Sequence, residues 1–383
     1  MQEKKIRIGI NATSLLSPRT GIGQYVYSLG KELNAFEEID PRYFYGHGWG
    51  DSLREAPIEN IVAVKARIRK YLPRAYVVSR MLTQARFSAG LMHHPVDLYH
   101  DPNYLAYRFR GPTVITVHDI SWVRHPETHP KDRLMAMDRY FPRSLEQAVT
   151  IITDCKFVKN ELIEVFGVNP SKIHPVLLGV SPVFRPHTEV ECRGVLSAHA
   201  LEYGNYFLSV GTLEPRKNIS TLIDAFSKLP EETQARCPLV LVGMRGWLTS
   251  SIEAKLRPLV DKGVVRLLGY VPDEHMPLIY SGSVAFAFPS LYEGFGLPPL
   301  EAMACGVPVI VSNCSSLPEV VGDAGVSVEP MDVDAISEAM RQILEDKSFS
   351  EDLSRRGITR SVEFTWRKTA EETTRVYFDA IAG

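Results

Sequence analysis

Short apolar runs alternate with amphipathic stretches along most of the chain. In the second half, six apolar runs predict strands, at residues 207–212, 239–243, 264–269, 284–288, 307–312 and 325–330. Such nearly continuous runs are typical of a parallel sheet that is buried on both faces. The intervening residues 219–229 have a helical period that places Leu222, Ile223, Phe226 and Leu229 on one face, and residues 332–346 predict a last amphipathic helix before a polar tail.

The first half shows the same alternation less regularly. Its patterns predict strands at residues 6–10, 98–100, 113–117 and 149–154, and helices at 24–33, 132–148 and 156–166. Residues 179–205 have little periodicity and contain prolines and glycines, which predicts a linker. The chain is therefore predicted to be an α/β protein with two Rossmann-like doubly wound domains, residues 1–185 and 186–360, that face each other across a cleft.

One turn carries the clearest candidate chemistry. Residues 292–301 have the sequence YEGFGLPPLE and join an apolar run to a stretch with a helical pattern. A turn between a strand and a helix lies at the carboxyl edge of an α/β sheet, where ligands bind. Glu293 is predicted to aim a free carboxylate at a sugar, and Glu301, in the first helical turn, to accept a ribose diol. The alternative is that Glu293 is a solvated loop residue and Glu301 only complements the helix dipole.

A second loop at the same edge carries two cations. The stretch SVGTLEPRKN places Arg216 and Lys217 between a predicted strand and a predicted helix. Two cations together with the free N–H groups of a helix N-terminus suit a diphosphate. An exposed basic pair ahead of a helix is the plainer interpretation of the same residues.

The first half has two comparable positions. Gly21 and Gly23 precede a predicted helix, where glycine permits close approach of a phosphate or a sugar. His118 and Asp119 end the strand predicted at 113–117, where a histidine can hydrogen-bond a sugar hydroxyl or stabilise charge. The third glycine of the dinucleotide fingerprint is missing, which argues against a nicotinamide or flavin enzyme.

The sequence predicts no metal site. Six of the eleven histidines fall between His93 and His129, but they lack the spacing of zinc ligands. Asp332 and Asp334 form a D-x-D pair, a pattern that many metal-dependent sugar transferases use. Because the pair opens the predicted helix at 332–346, helix capping explains it better.

Charge and composition bear on partners and location. Residues 60–96 contain no acidic residue, and seven basic residues between positions 65 and 86 interleave with apolar ones. This segment 65–86 favours contact with an anionic membrane surface, although a solvated basic face is the alternative. A pI of about 6.6 and the lack of a nucleic-acid motif argue against nucleic acid. Five scattered cysteines and the lack of a signal peptide predict a cytoplasmic protein, and segment 65–86 favours a peripheral place on the inner face of the cytoplasmic membrane.

The motifs resemble those of a known family. The stretches SVGTLEPRKN, YEGFGLPPLEAMACGVPVIVS and LPEVVGDAG, with TGIGQYVYSL and TVHDI in the first half, resemble the retaining GT-B glycosyltransferases of glycosyltransferase family 4. The resemblance implies metal-independent transfer of a sugar from a nucleotide donor with retention of configuration. It also implies that residues 361–383 form a C-terminal helix that crosses back to the first domain.

The resemblance also implies roles for individual residues. His118 and Glu293 match catalytic-site residues, and Lys217, with Arg216 beside it, matches the lysine on the donor diphosphate. Glu301 matches the carboxylate on the donor ribose. The other donor-binding positions that it implies are Gly23, Val271, Phe295, Gly296 and Leu297.

The likeness extends to the substrates. Many members carry an arginine where this chain has Thr212, and Arg216 is expected to substitute for it. The stretches GTLEPRKN and TVHDISWVRHPETHP look most like those of bacterial O-antigen mannosyltransferases, which implies a GDP-mannose donor, a lipid-diphosphate-linked glycan acceptor and no cofactor. Open alternatives are a transferase of UDP- or dTDP-sugars, an epimerase or phosphorylase of the same fold, and a non-catalytic nucleotide-sugar-binding protein.

Overall fold

The chain folds into two compact units. The computed structural model describes residues 5–16, 21–54, 75–244, 246 and 250–383. The first unit comprises Met1–Ile120, Met135–Gly179 and Trp366–Gly383, and the second comprises Ser121–Leu134 and Val180–Thr365. The C-terminal residues therefore belong to the first unit, although they follow the second in sequence.

Two sheets organise these units. In chain order, the strands of the described residues are β1 (Ile6–Asn11), β2 (Ile39–Phe44), β3 (Trp49–Gly50), β4 (Leu98–Asp101), β5 (Thr113–Val117), β6 (Thr150–Thr153), β7 (Ile173–Pro175), β8 (Phe207–Val210), β9 (Leu239–Val242), β10 (Val265–Gly269), β11 (Ala285–Phe288), β12 (Val309–Ser312) and β13 (Val326–Val328). The first sheet has the order β3-β2-β1-β4-β5-β6-β7, in which β2 and β3 are antiparallel, and the second, fully parallel sheet has the order β10-β9-β8-β11-β12-β13. The strand order reverses between β1 and β4 and between β8 and β11, which makes these the ligand-binding switch points.

Helices connect the parallel strands. In chain order they are α1 (Gly21–Leu33), α2 (Ala75–Gly90), α3 (Ser121–Arg124), α4 (Lys131–Gln147), α5 (Lys156–Phe166), α6 (Glu189–Ala198), α7 (Ile219–Ser227), α8 (Glu231–Arg236), α9 (Ser250–Asp261), α10 (Met276–Ser281), α11 (Leu297–Ala304), α12 (Leu317–Val321), α13 (Val333–Glu345), α14 (Lys347–Ser361) and α15 (Trp366–Ala382). Helix α7 buries Leu222, Ile223 and Phe226 in the second core, which confirms the face predicted from its period. The strands on either side of it are buried throughout or nearly so, as parallel strands covered on both faces must be.

Three local predictions were wrong. The stretch predicted as a linker contains α6, whose start is a capping box: the Thr188 hydroxyl accepts from Glu191 N, and the Glu191 carboxylate accepts from Thr188 N. Helix α6 buries only Cys192 and Leu196, so its apolar period is weak and the cap is the better signal. The helix predicted at residues 332–346 is not the last one before a polar tail, because α14 follows it, and α15 forms where the family resemblance implied a C-terminal helix. Finally, Gly21 and Gly23 do not precede α1 but form its first turn.

Candidate functional site

The loops after β8 and β11 lie side by side at the switch point of the second sheet, because β8 pairs with β11. Arg216 and Lys217 belong to a single 3₁₀ turn in the first loop, and Glu293 belongs to the second. Asn218 joins the loops, since its Nδ2 donates to the carbonyl oxygen of Pro289 over 3.0 Å. The cations and the carboxylate that the sequence placed at one edge are thus in contact.

Glu293 is not the free carboxylate that the turn suggested. It is 7% exposed, and its Oε1 accepts from Lys217 Nζ at 2.6 Å and from Ser290 Oγ at 2.5 Å. Its Oε2 accepts from Arg216 Nη1 at 3.1 Å. Burial raises the pKa of Glu293, but the charges of Lys217 and Arg216 outweigh burial and lower the pKa to about 2. The group is therefore ionised at neutral pH, and its burial and ion pairs exclude the solvated-loop alternative.

A second buried carboxylate, Glu214, completes this cluster. It is 4% exposed, and its Oε1 accepts from Arg216 Nη2 at 2.8 Å. The Arg216 guanidinium also donates to the carbonyl of Tyr292 at 2.6 Å, so it is held on both sides. Two cations and two carboxylates make the cluster of Glu214, Arg216, Lys217 and Glu293 neutral overall. A single unpaired charge buried at this site would lower the stability of the fold by roughly several kcal/mol, because the charge would lose its hydration without gaining a partner.

Glu301 lies one helical turn deeper than predicted. It is the fifth residue of α11 and therefore lies in the second turn, which removes the simple helix-dipole explanation. Its Oε2 accepts from the Tyr280 hydroxyl at 2.9 Å. Burial raises the pKa of Glu301 to about 7, although the Tyr280 hydrogen bond lowers it and nearby Asp273 raises it further. Glu301 therefore changes charge near neutral pH.

The turn between Glu293 and α11 is rigidly held. Gly296, its N-cap, has φ 113°, a conformation that glycine adopts without strain. Ser316 Oγ lies 2.9 Å from the carbonyl oxygen of Glu293 and 2.8 Å from that of Phe295. Leu297 is the first residue of α11. These contacts fix the backbone from Phe295 to Leu297, as a turn that binds a ligand through its amides requires.

Val271 also lies at this edge of the second sheet. It follows β10 by two residues, and its side chain is 4% exposed. Its place after a strand agrees with a backbone contact to a ligand, since the loops after parallel strands line the ligand crevice.

In the first unit, His118 follows β5 directly, as predicted. It is 8% exposed. Its Nδ1 lies 2.8 Å from Asp154 Oδ2, and its Nε2 lies 2.9 Å from the carbonyl oxygen of Pro102. Gly23 lies buried in α1, two positions before Tyr25, whose ring meets the His118 ring edge-on at 5.0 Å.

The D-x-D pair caps a helix, as predicted. Asp332 is the N-cap of α13, and its Oδ1 accepts from Ala335 N at 2.9 Å. Asp334 forms an ion pair with Lys228 at 2.5 Å. In the described part of the chain, no three His, Cys, Asp or Glu side chains are grouped so that they could hold a metal ion.

Only part of the basic segment 65–86 can be described, because its residues 65–74 lie outside the described ranges. Its described part belongs to α2. Arg80 donates to the carbonyl oxygens of Leu105 (3.0 Å) and Ala106 (2.9 Å), which uses this cation within the fold. Met81 and Leu82 are exposed by 68% and 55%. No helix within the described ranges is both long and apolar enough to cross a membrane.

Three residues of these sites were missed in the sequence. Glu214 lies two residues before Arg216, Tyr280 is the penultimate residue of α10, and Asp154 follows β6. Asp154 had a usable signal, since it ends the strand next to that of His118 and is therefore at the same sheet edge. Glu214 and Tyr280 had none: nothing in the sequence of the loop indicates that Glu214 is buried against Arg216, and Tyr280 meets Glu301 from a different helix, 21 residues away.

Comparison with known proteins identifies the family. Glycosyltransferase Family 4 matches residues 19–184, and Glycosyl transferases group 1 matches residues 198–360. O-antigen chain mannosyltransferase B of Escherichia coli is 40% identical over 369 residues, which cover 94% of this chain and 96% of that protein. The serotype-specific mannosyltransferase WbdA of Escherichia coli is 32% identical over 67% of this chain, which spans only 32% of the relative.

The fold is shared with solved structures. Sucrose-phosphate synthase from Thermosynechococcus elongatus superposes with a TM-score of 0.76 at 23% identity, covering 99% of this chain and 100% of the other. At that identity the likeness shows the fold alone. Together with the 40% identity to a full-length relative, it shows that this chain belongs to glycosyltransferase family 4 and is a retaining glycosyltransferase of the GT-B fold.

Proposed function

We propose that this glycosyltransferase moves mannose from GDP-mannose onto a lipid-diphosphate-linked oligosaccharide during O-antigen synthesis. The donor sugar and the process are supported by the two Escherichia coli relatives, an O-antigen chain mannosyltransferase and a serotype-specific mannosyltransferase. The observation that carries the chemistry is the 2.6 Å contact between Lys217 Nζ and Glu293 Oε1. It joins a cation suited to a departing diphosphate to a carboxylate suited to the positive charge that develops on the sugar.

In the proposed reaction, the bond between the sugar C1 and the diphosphate oxygen breaks while the acceptor oxygen attacks from the same face. Lys217 stabilises the departing diphosphate, which takes the proton of the acceptor hydroxyl. Glu293, ionised at neutral pH, stabilises the positive sugar ring. Each contact that is stronger in the transition state lowers the barrier by a few kcal/mol, roughly.

The remaining residues bind the donor. Glu301 accepts hydrogen bonds from the ribose diol, and the amides of the turn Phe295, Gly296 and Leu297 hold the sugar. The backbone of Val271 contacts the base, and Gly23 faces the donor phosphate. His118 binds a hydroxyl of the transferred sugar.

Arg216 takes a supporting part in this proposal. Three acceptors already hold its guanidinium, two of them carboxylates. Arg216 therefore acts mainly by fixing Glu293, and Lys217 is the principal diphosphate ligand.

The acceptor belongs to the first half of the chain in this proposal. Residues 1–185 bind the acceptor and residues 186–360 bind the donor. The exposed Met81 and Leu82 share α2 with Arg86, which is also exposed. Such a mixture of apolar and basic side chains suits the anionic inner face of the cytoplasmic membrane, where a lipid-linked acceptor would lie.

Donor binding tests the proposal first. GDP-mannose, UDP-glucose, a dTDP-sugar and GDP are each added to the protein, and the melting temperature is recorded. We expect GDP-mannose and GDP to raise it, since a ligand at about 100 times its Kd adds roughly 2.7 kcal/mol to stability. Transfer of labelled mannose to a lipid-diphosphate-linked glycan is then measured. Stabilisation by UDP-sugars alone would refute the donor, and GDP-mannose binding without transfer would indicate a non-catalytic binder.

The affinity for GDP-mannose is expected to rise several-fold between pH 6 and pH 8. Glu301, whose pKa is about 7, accepts both ribose hydroxyls only when ionised, so affinity is lost as pH falls through that value. The diphosphate of GDP-mannose is a diester and stays ionised between pH 6 and pH 8, so a change in affinity over this range reports a group of the protein. Calorimetric titration measures the effect.

Two variants control this pH experiment. Glu301→Gln should flatten the profile, because it cannot ionise. Tyr280→Phe removes a hydrogen bond that lowers the pKa of Glu301, so its profile should shift to higher pH. A wild-type affinity that is constant between pH 6 and pH 8 would contradict the ribose assignment.

A further inference from the structure

His118 faces two hydrogen-bond acceptors. Its Nδ1 contacts a carboxylate oxygen of Asp154 at 2.8 Å, and its Nε2 contacts the main-chain oxygen of Pro102 at 2.9 Å. A carbonyl oxygen has no proton to give, so Nε2 must carry one. The contact at Nδ1 requires a second proton between the ring and Asp154. Burial raises the pKa of Asp154, whereas the charge of His118 and its hydrogen bond lower it. Because imidazole is in water more basic than a carboxylate by more than two pKa units, roughly, we assign this proton to the ring.

Another buried histidine shows the contrast. His100 Nδ1 lies 2.7 Å from the Tyr377 hydroxyl, and its Nε2 lies 2.8 Å from Thr116 Oγ1. Hydroxyl groups can donate as well as accept, so a neutral ring satisfies both contacts. Burial and the nearby charge of His118 lower the pKa of His100 to about 3. The contacts of these two buried histidines therefore favour a neutral His100 and a doubly protonated His118.

The groups around His118 favour its charged form. Burial alone would lower the pKa of His118, but the Asp154 carboxylate, the Pro102 carbonyl and the adjacent Asp119 together raise it. Tyr25 and Tyr104 contact the ring edge-on, with ring centroids at 5.0 and 5.7 Å, and help to orient it. Asp154 itself is 2% exposed. Its second oxygen, Oδ1, is buried with no hydrogen-bond partner among the described residues, so its pairing with His118 is its main polar contact.

We propose that Asp154 is a positioning residue that keeps His118 as an imidazolium, so that His118 serves the transferase as a hydrogen-bond donor and not as a base. This inference rests on the proposed contact of His118 with the transferred sugar. Nε2–H exchanges the Pro102 oxygen for a sugar hydroxyl, while Nδ1–H stays on Asp154. The pair is neutral overall, so it does not oppose the positive charge on the sugar ring. The acceptor proton goes to the departing diphosphate, and His118 transfers none.

The protonation state of His118 can be measured without any substrate. Proton–nitrogen correlation spectra of the full-length protein at pH 7 report both ring nitrogens of each histidine, and His118→Gln identifies the His118 signals. We expect two protonated nitrogens for His118 and one for His100. A singly protonated His118 would overturn the proposal whether or not GDP-mannose is the donor.

Asp154→Asn tests the role of the carboxylate. The variant should release one proton from His118 at pH 7, while the His100 signals remain and report an intact fold. Turnover at saturating GDP-mannose should then fall about tenfold between pH 6 and pH 8, where the wild-type rate holds. A variant that keeps the doubly protonated His118 and the wild-type pH profile would overturn the positioning role. If the variant does not fold, the wild-type spectra alone decide.

Discussion

Glu293→Gln is expected to reduce mannosyl transfer by about 10²- to 10³-fold while leaving the affinity for GDP intact or higher. The substitution removes the negative charge next to the reacting sugar. It also leaves Lys217 with its charge, so the cluster of Glu214, Arg216, Lys217 and Glu293 changes from neutral to +1. A positive site attracts a diphosphate more strongly than a neutral one. Steady-state turnover and calorimetric titration with GDP measure the two effects.

Lys217→Ala should separate the roles of the two residues. It removes the cation that is 2.6 Å from Glu293 Oε1, so both transfer and GDP affinity should fall. Asp224→Asn is the matched control, since Asp224 also pairs with a lysine in the second unit, but both side chains of that pair are more than 40% exposed. An exposed pair contributes at most about 1 kcal/mol, and this variant should behave like wild type. Equal loss of GDP affinity in Glu293→Gln and Lys217→Ala would contradict the assignment.

Gly243→Ala is expected to unfold the second unit or to lower its stability by more than about 3 kcal/mol. Gly243 follows β9 with φ +145°, and a Cβ there would lie 2.0 Å from the main-chain oxygen of Gly211. That oxygen belongs to the loop after β8 and cannot move without moving Arg216 and Lys217. The positive φ adds strain for any residue but glycine.

Gly194→Ala is the control for this substitution. Gly194 lies within α6, and a Cβ there meets no atom within 4 Å. Alanine is favoured over glycine inside a helix, so this variant should gain about 0.5–1 kcal/mol. Urea unfolding midpoints of the two variants and the wild type measure both effects. Near wild-type stability of Gly243→Ala would show that the ends of β8 and β9 can move apart. The close approach of Gly243 to Gly211 would then not be needed to hold the loop of Arg216 and Lys217 in place.

Much of the fold could be predicted from the hydrophobic pattern. All six strands predicted in the second half are present, within about two or three residues at their ends, and so is the buried face of α7. These strands are apolar along their whole length because helices cover both faces of the sheet. Helix α6 was missed because only two of its residues are buried. A helix that buries so few residues needs few apolar positions, so its sequence shows only a weak amphipathic pattern.

The site could be predicted in its location but not in its electrostatics. Arg216, Lys217 and Glu293 were expected at one sheet edge, because the residues that follow parallel strands all meet there. Their ionic contacts were not expected, and Glu293 was interpreted as a free carboxylate. The pairing joins atoms 76 residues apart and depends on β8 and β11 being neighbours. Strand order of this kind is a property of the assembled sheet, which local patterns do not reveal.

The amino-acid sequence by itself determined which segments become strands and helices, and therefore which side chains end up at the carboxyl edges of the two sheets. Period and apolar length are local properties of the chain, so they can be recognised without knowing the fold. Only the tertiary structure decided the charge state of those side chains. Glu293 is ionised because two cations surround it, Glu301 is poised near pH 7 because it is buried, and His118 holds two protons because Asp154 and Pro102 both face it. Protonation depends on burial and on neighbours that are distant in the chain, and folding alone brings these together.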